Sequence, residues 1–192
     1  MSHDSDGHVV NGFARELRVG KLSPAQFVQV LETLHMLGTA GAGIDLSSLT
    51  TQALVDVVHR ASRDQLKALA DHPELRAVFL DEIFRRMSEL FRPDRARHID
   101  FVVAWRFPGG AGHDGYDRFQ TVIEDGACVS STHLSRTPDT TLTLSVDDFI
   151  RLATGTSAPA AMFATGRVKV KGEYAPAVRF SSYFDIPKPT GD

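Results

Sequence analysis

The chain has 192 residues, 42% of them hydrophobic, and a formal net charge of −3. It can bury one sizeable core, as a single domain or a domain with an appendage, and its acidic balance excludes a global pull toward nucleic acid or anionic membrane. One cysteine, Cys128, excludes an intrachain disulfide framework and suits a reducing compartment.

No apolar run reaches the ~20 residues of a membrane span. Met1 to His8 is polar and lacks the charged-then-apolar plan of a signal peptide. The expectation is a cytoplasmic protein with residues 1–10 disordered. Ser23-Pro24-Ala25-Gln26 then reads as a capping box with proline at the first helical position. Phe27, Val30, Leu31, Leu34 and Leu37 follow with a 3.6 period, and Gly38 with the run 39–43 ends that helix. A second helix carries Leu49, Ala53, Leu54, Val57 and Val58. A third opens at Ser62 with Gln65 as box partner. Asp71 with Glu74 reads as another box around Pro73, opening a longer helix with Leu75, Val78, Phe79, Ile83, Met87, Leu90 and Phe91, stopped by Pro93.

The period then changes to two. Ile99, Phe101, Val103, Trp105 and Phe107 share one strand face, with Asp100 and Arg106 opposite. A Gly-rich connection, 108–115, leads to a strand with Phe119, Thr121 and Ile123. Asp125-Gly126 signals a hairpin, because a type I′ turn needs positive φ. Strands near Cys128–Leu134 and Thr140–Leu144, joined by a turn at Thr137-Pro138-Asp139, are expected to complete a meander. Ser145 caps a further helix. Met162, Phe163 and an alternating strand with Val168 and Val170 follow, closed by Gly172.

The string Met162-Phe163-Ala164-Thr165-Gly166-Arg167-Val168-Lys169-Val170-Lys171-Gly172, behind a capped helix, resembles the sterol carrier protein 2 (SCP-2) family. That family has a helix leading into a "F-x-x-G-K-L-K-I-K-G" strand and a final helix. The resemblance reaches back to about Leu75 and divides the chain into a helical extension, 1–74, and an SCP-2-like unit, 75–188. It implies an α/β protein of the α+β type, with a mixed, mostly antiparallel five-stranded sheet covered by helices. It also implies a tunnel between sheet and helices for a fatty acid, acyl-CoA, sterol or similar lipid. Against this pattern, Pro176 interrupts the last helix near its start, and Tyr174 to Phe180 lacks an aliphatic run.

On this reading the lipid-binding residues are Phe101, Val103, Trp105, Phe149, Met162, Phe163, Val168 and Val170. A pocket above the ~300 Å³ typical of ligand sites is expected, bordered by several of Phe101, Trp105, Met162 and Phe163. Trp105, the lone tryptophan, would report an incoming lipid as a blue shift. Arg167, Lys169 and Lys171 form the opposite strand face. They could touch anionic head groups transiently at a membrane surface, or be solvated lysines that guard a sheet edge.

Other chemistry finds little support. Arg106-Phe107-Pro108-Gly109-Gly110-Ala111 fits by letters the pyrophosphate loop of acetyl-CoA-dependent N-acetyltransferases, but Gly112-His113-Asp114-Gly115 is a poor helix start. The eight histidines have no H-x-x-x-H spacing, and Cys128 has no partner in the sequence. Residues 1–74 hold six basic and nine acidic residues, unlike a DNA reader. The expectation is therefore no catalytic residue, no metal, no cofactor and no enzymatic role. Non-catalytic binding or transfer of an apolar ligand is expected. The alternative is a protein-interaction module with a filled core, engaging a protein partner through the N-terminal helices.

Overall fold

A computed structural model describes residues 3–41 and 45–191, with 3–7 as backbone only. Helices come first: α1 (His3–Glu16), α2 (Pro24–Thr39), α3 (Thr51–Arg60), α4 (Arg63–Asp71) and α5 (Pro73–Leu90). Strands β1 (Phe101–Pro108), β2 (Tyr116–Glu124), β3 (Ala127–Ser131) and β4 (Thr140–Thr143) follow. Then come α6 (Val146–Ala153), α7 (Pro159–Ala164), β5 (Lys169–Gly172) and α8 (Tyr174–Arg179), which continues as a 3-10 turn, Phe180–Tyr183.

Local capping signals translate directly. Ser23 and Gln26, and Ser62 and Gln65, satisfy each other's backbone N–H groups at the starts of α2 and α4. Residues 42–43 of the predicted stop after α2 lie outside the described residues. Three helix expectations need correction. Residues 3–10 are helical, because Val10 and Ala14 form an apolar stripe that packs against α3, and Arg60 donates to the carbonyls of Ala14, Arg15 and Leu17 at the end of α1. Leu49 precedes α3 rather than lying in it. The cap of α5 is His72, whose Nδ1 accepts from the Leu75 amide at 3.3 Å. Asp71 instead closes α4, paired with Lys67 at 2.9 Å.

The sheet is five-stranded and mixed, in the order β3-β2-β1-β4-β5, with β1 and β4 parallel and the other pairs antiparallel. The Asp125-Gly126 turn forms as predicted, both residues having positive φ (51° and 73°). The meander does not. After β3 the chain crosses the sheet and places β4 on the far side of β1. Gln120 holds this crossing through two bonds to the Arg136 backbone, at 2.7 and 3.0 Å. Asp139 completes it by pairing with the Val102 backbone, through its amide at 2.9 Å and its carboxylate at 2.8 Å. These contacts join residues 16 to 37 positions apart, so no local turn signal encodes them.

One apolar cluster runs from Val10 through the sheet to Phe184. Its centre is aromatic. Phe84 of α5 meets Phe119, Phe149, Trp105 and Phe107 at centroid distances of 4.5, 4.9, 5.7 and 6.2 Å. Two buried arginines fasten α5 to its surroundings. Arg76 pairs with Asp117 at 2.7 Å and donates to the carbonyls of Phe107 and Pro108. Arg86 pairs with Glu82 at 2.6 Å and donates to the Leu49 carbonyl at 2.6 Å. Pro176 does not break α8. It sits in the first turn, where its missing N–H has no intrahelical acceptor to lose.

Candidate functional site

The apolar face of the sheet, α5 and the C-terminal helices enclose one cavity. Met87 of α5, Trp105 of β1, Leu142 of β4, and Phe149 and Leu152 of α6 form its inner wall. Phe163 of α7 and the segment carrying Ala177, Phe180, Phe184 and Ile186 close it. Ser181 is the one polar residue in the lining, and no ionisable group reaches it. Such a wall favours carbon-rich contents and offers a charged group no compensation.

Trp105, Phe149 and Phe163 thus meet at one cavity. Phe101, Val103, Met162 and Val168 are buried in the surrounding core, and Val170 is half-buried on β5, but none of these five lines it. The strand face that carries Phe101 and Val103 extends past the cavity into ordinary packing. Sequence reasoning missed the closing segment. Its signal was present: Ala177, Phe180 and Phe184 recur at helical spacing. The wall there is aromatic where an aliphatic run was sought.

The size differs from expectation. The space measures about 40 Å³, far below a ligand site. Trp105 is only 1% exposed, and its indole N–H donates to Thr121 Oγ1 at 2.9 Å. The indole is already dry without a ligand, so the expected blue shift has no water to displace.

The segment after α8 works as a strap across the cavity. The Asp185 amide donates to the Leu90 carbonyl at 2.8 Å, and its carboxylate meets Arg92 at 3.3 Å. Ile186 turns into the lining. Farther along, Gln52 Nε2 donates to the Lys188 carbonyl at 2.7 Å. The Thr190 amide and hydroxyl donate to the Asp56 carboxylate at 2.8 and 2.7 Å. Burial works against the Asp56 charge, but the Thr190 bonds prevail and hold its pKa below the ordinary aspartate value.

The groups considered for chemistry lie apart from this cavity. The 108–115 loop joins two antiparallel strands and does not open a helix. No group of three His, Cys, Asp or Glu side chains converges as a metal site among the described residues. Arg167 reaches back to Asp148 at 3.2 Å, while Lys169 and Lys171 are exposed. Cys128 is buried on β3, and burial pushes its thiol up to about 12. A thiol reagent at pH 8 should therefore modify the folded protein on the order of a thousandfold more slowly than the unfolded chain, from thiolate population alone. Comparable rates in buffer and in denaturant, followed by absorbance with a chromogenic disulfide reagent, would contradict the burial.

The model described as the SCP-2 sterol transfer family matches residues 80–185. Hydroxysteroid dehydrogenase-like protein 2 of Bos taurus is 25% identical over 107 residues, 56% of this chain and 25% of that protein. The Homo sapiens protein of the same name is 24% identical over an equal stretch. Among solved structures, the stereoselective inverting sec-alkylsulfatase Pisa1 from Pseudomonas sp. aligns with a TM-score of 0.50 at 14% identity, covering 100% of this chain and 34% of that one. Sterol carrier protein domain 2 of Helicoverpa armigera aligns with a TM-score of 0.41 at 16% identity, covering 55% and 80%. The chain thus spans a quarter of the curated relatives and a third of the sulfatase. These likenesses overturn the expectation of no enzymatic role. The matching relatives are named as dehydrogenase-like, and the whole fold recurs within an alkylsulfatase. No membrane-spanning helix exists among the described residues.

Proposed function

The chain belongs to the SCP-2 sterol transfer family, and from that premise we propose that it binds or transfers an apolar ligand in the cavity beside Trp105, Phe149 and Phe163. The ligand class is a fatty acid, acyl-CoA, sterol or similar lipid. The observation that carries this reading is the lining itself: fourteen residues from the sheet, α5 and the C-terminal helices, with Ser181 alone polar. The binding unit is 75–188, with 1–74 packed on it as a helical extension. Phe101, Val103, Met162, Val168 and Val170 are taken as the support around the wall. Cytoplasmic placement belongs to the same proposal, supported by one buried, unpaired cysteine.

A space of about 40 Å³ admits no lipid, so binding requires α7, α8 and the strap to move outward. The cost of that opening reduces affinity, and burial of the chain offsets it. Each added CH₂ contributes up to ~0.8 kcal/mol, roughly fourfold in dissociation constant. Native mass spectrometry should find a lipid retained from the host. Titration with saturated fatty acids should give affinity that rises with chain length. No retained lipid and no binding across the series, with the protein folded, would end the proposal.

Two observations favour a second reading, an interaction module: the cavity is nearly filled with Trp105 already dry, and an apolar groove lies open on the N-terminal helices. This groove, of about 570 Å³, runs between α1 and α2, past Val9, Phe13 and Leu37, and Val9, Phe13, Met36 and Leu37 are exposed. This reading expects the fatty-acid series to bind nothing.

A further inference from the structure

Among the described residues three arginines are buried: Arg76, Arg86 and Arg151. Arg76 donates to the Asp117 carboxylate and three carbonyls, and Arg86 to the Glu82 carboxylate, the Thr51 hydroxyl and two carbonyls. Arg151, 8% exposed, ends α6, and its guanidinium donates no hydrogen bond to any described residue. Its ion pair among the described residues is with Asp148 Oδ1, at 3.5 Å. That same oxygen is engaged by Arg167 at 3.2 Å. Five donors on a largely buried cation thus share one long contact to one protein oxygen, which leaves room for a further acceptor from solution.

The surroundings carry surplus positive charge. Arg63 opens α4, which packs on α6, and it is exposed with no ion pair or hydrogen bond among the described residues. Asp147 faces the cluster as well, and Lys67, paired with Asp71, lies within its field. Burial first, and then repulsion by Arg63, pull Arg151 below the ordinary arginine range. Two residues along a helix is ~200° of rotation, so Arg151 points away from Phe149 and the cavity.

We propose that Arg151, with Arg63 and Arg167, forms a binding site for a phosphate group on the outer face of α6. The group would be free phosphate or the head group of an anionic lipid. Guanidinium forks match phosphate oxygens in pairs. A dianion would supply Arg151 with the acceptors it lacks and neutralise the excess that Asp148 alone leaves. Asp148 then competes with the anion for both arginines. The site is separate from the apolar cavity.

The test follows the Arg151 Nε–Hε resonance of the full chain by NMR during titration with inorganic phosphate. Sodium chloride at equal ionic strength is the control. Vesicles of phosphatidylcholine, with and without phosphatidic acid, form the second arm. A saturable shift is expected with phosphate, with the doped vesicles, or with both. Phosphate alone identifies a free anion, and doped vesicles alone identify a head group. Arg63→Gln and Arg167→Gln, changes at accessible positions, should each weaken binding roughly tenfold, equivalent to ~1.4 kcal/mol. Asp148→Asn should strengthen it, a gain that a merely structural Asp148–Arg contact does not produce. No shift beyond chloride in either arm overturns the proposal. So does a phosphate response unchanged in both glutamine variants.

Discussion

Phe84→Ala is expected to be the most damaging single truncation in the chain. Phe84 is buried on α5 and touches four rings, Trp105, Phe107, Phe119 and Phe149, three of them from the sheet and one from α6. Truncating a buried Phe costs ~3–5 kcal/mol through lost transfer energy and the cavity left behind. Each ring pair adds ~0.5–1.5 kcal/mol, and these increments overlap because the four partners also touch one another. The upper half of the range is therefore expected, or a fall in Tm of about 10 °C or more for a domain of this size. Phe163→Ala is the comparison. It is half-buried with one ring partner, Tyr174 at 5.7 Å, and should cost ~1–2 kcal/mol. Urea unfolding measures both. A Phe84→Ala loss no larger than that of Phe163→Ala would mean that α5 is held by Arg76 and Arg86 rather than by the aromatic centre.

The same residue marks where reading the sequence succeeds and stops. The stripe of α5 was legible from Leu75 to Phe91, because apolar spacing of 3.6 is a property of neighbouring residues. Phe84 sits beside that stripe, next to Ile83, and its importance comes from rings more than 20 positions away. Caps at Ser23 and Ser62 and the Asp125-Gly126 turn were legible for the same local reason. The place of β4 was not. A short strand after a turn reads as the next strand of a meander, and only the Gln120 and Asp139 contacts across the sheet set it beside β1. In the site, Trp105, Phe149 and Phe163 were legible as apolar positions on elements that face each other. The closing wall, Ala177 to Ile186, was overlooked because proline and tyrosine near its start mask the helical spacing behind them.

Loosening the strap should speed ligand entry. Ile186 lines the apolar cavity, the residues beyond it are held on α3, and the bonds nearest that end are the two from Thr190 to Asp56. Hydrogen bonds to a charged group contribute ~1.5–3 kcal/mol each when well sheltered. The Asp56 carboxylate is partly exposed, so the lower end applies to the pair together. If closed and open forms differ by that amount, Asp56→Ala should raise the association rate of a fluorescent fatty acid about tenfold, and Thr190→Val, which keeps the amide bond, by a smaller factor. The equilibrium affinity should rise by the same factor, because the variant no longer has to break the strap before binding. The pH dependence has a defined sign. A carboxylate held below its ordinary pKa supports the closed form above that pKa and loses its hold as pH falls through the lowered value. Entry into the wild type should therefore quicken in acid, below the ordinary aspartate range, and the Asp56→Ala variant should lack that acceleration. Stopped-flow mixing separates the possible failures. A wild type that binds no fatty acid at any pH removes the lipid reading itself. Variants that bind at the wild-type rate, with the same acid response, leave lipid binding in place and show that entry runs past α7 instead.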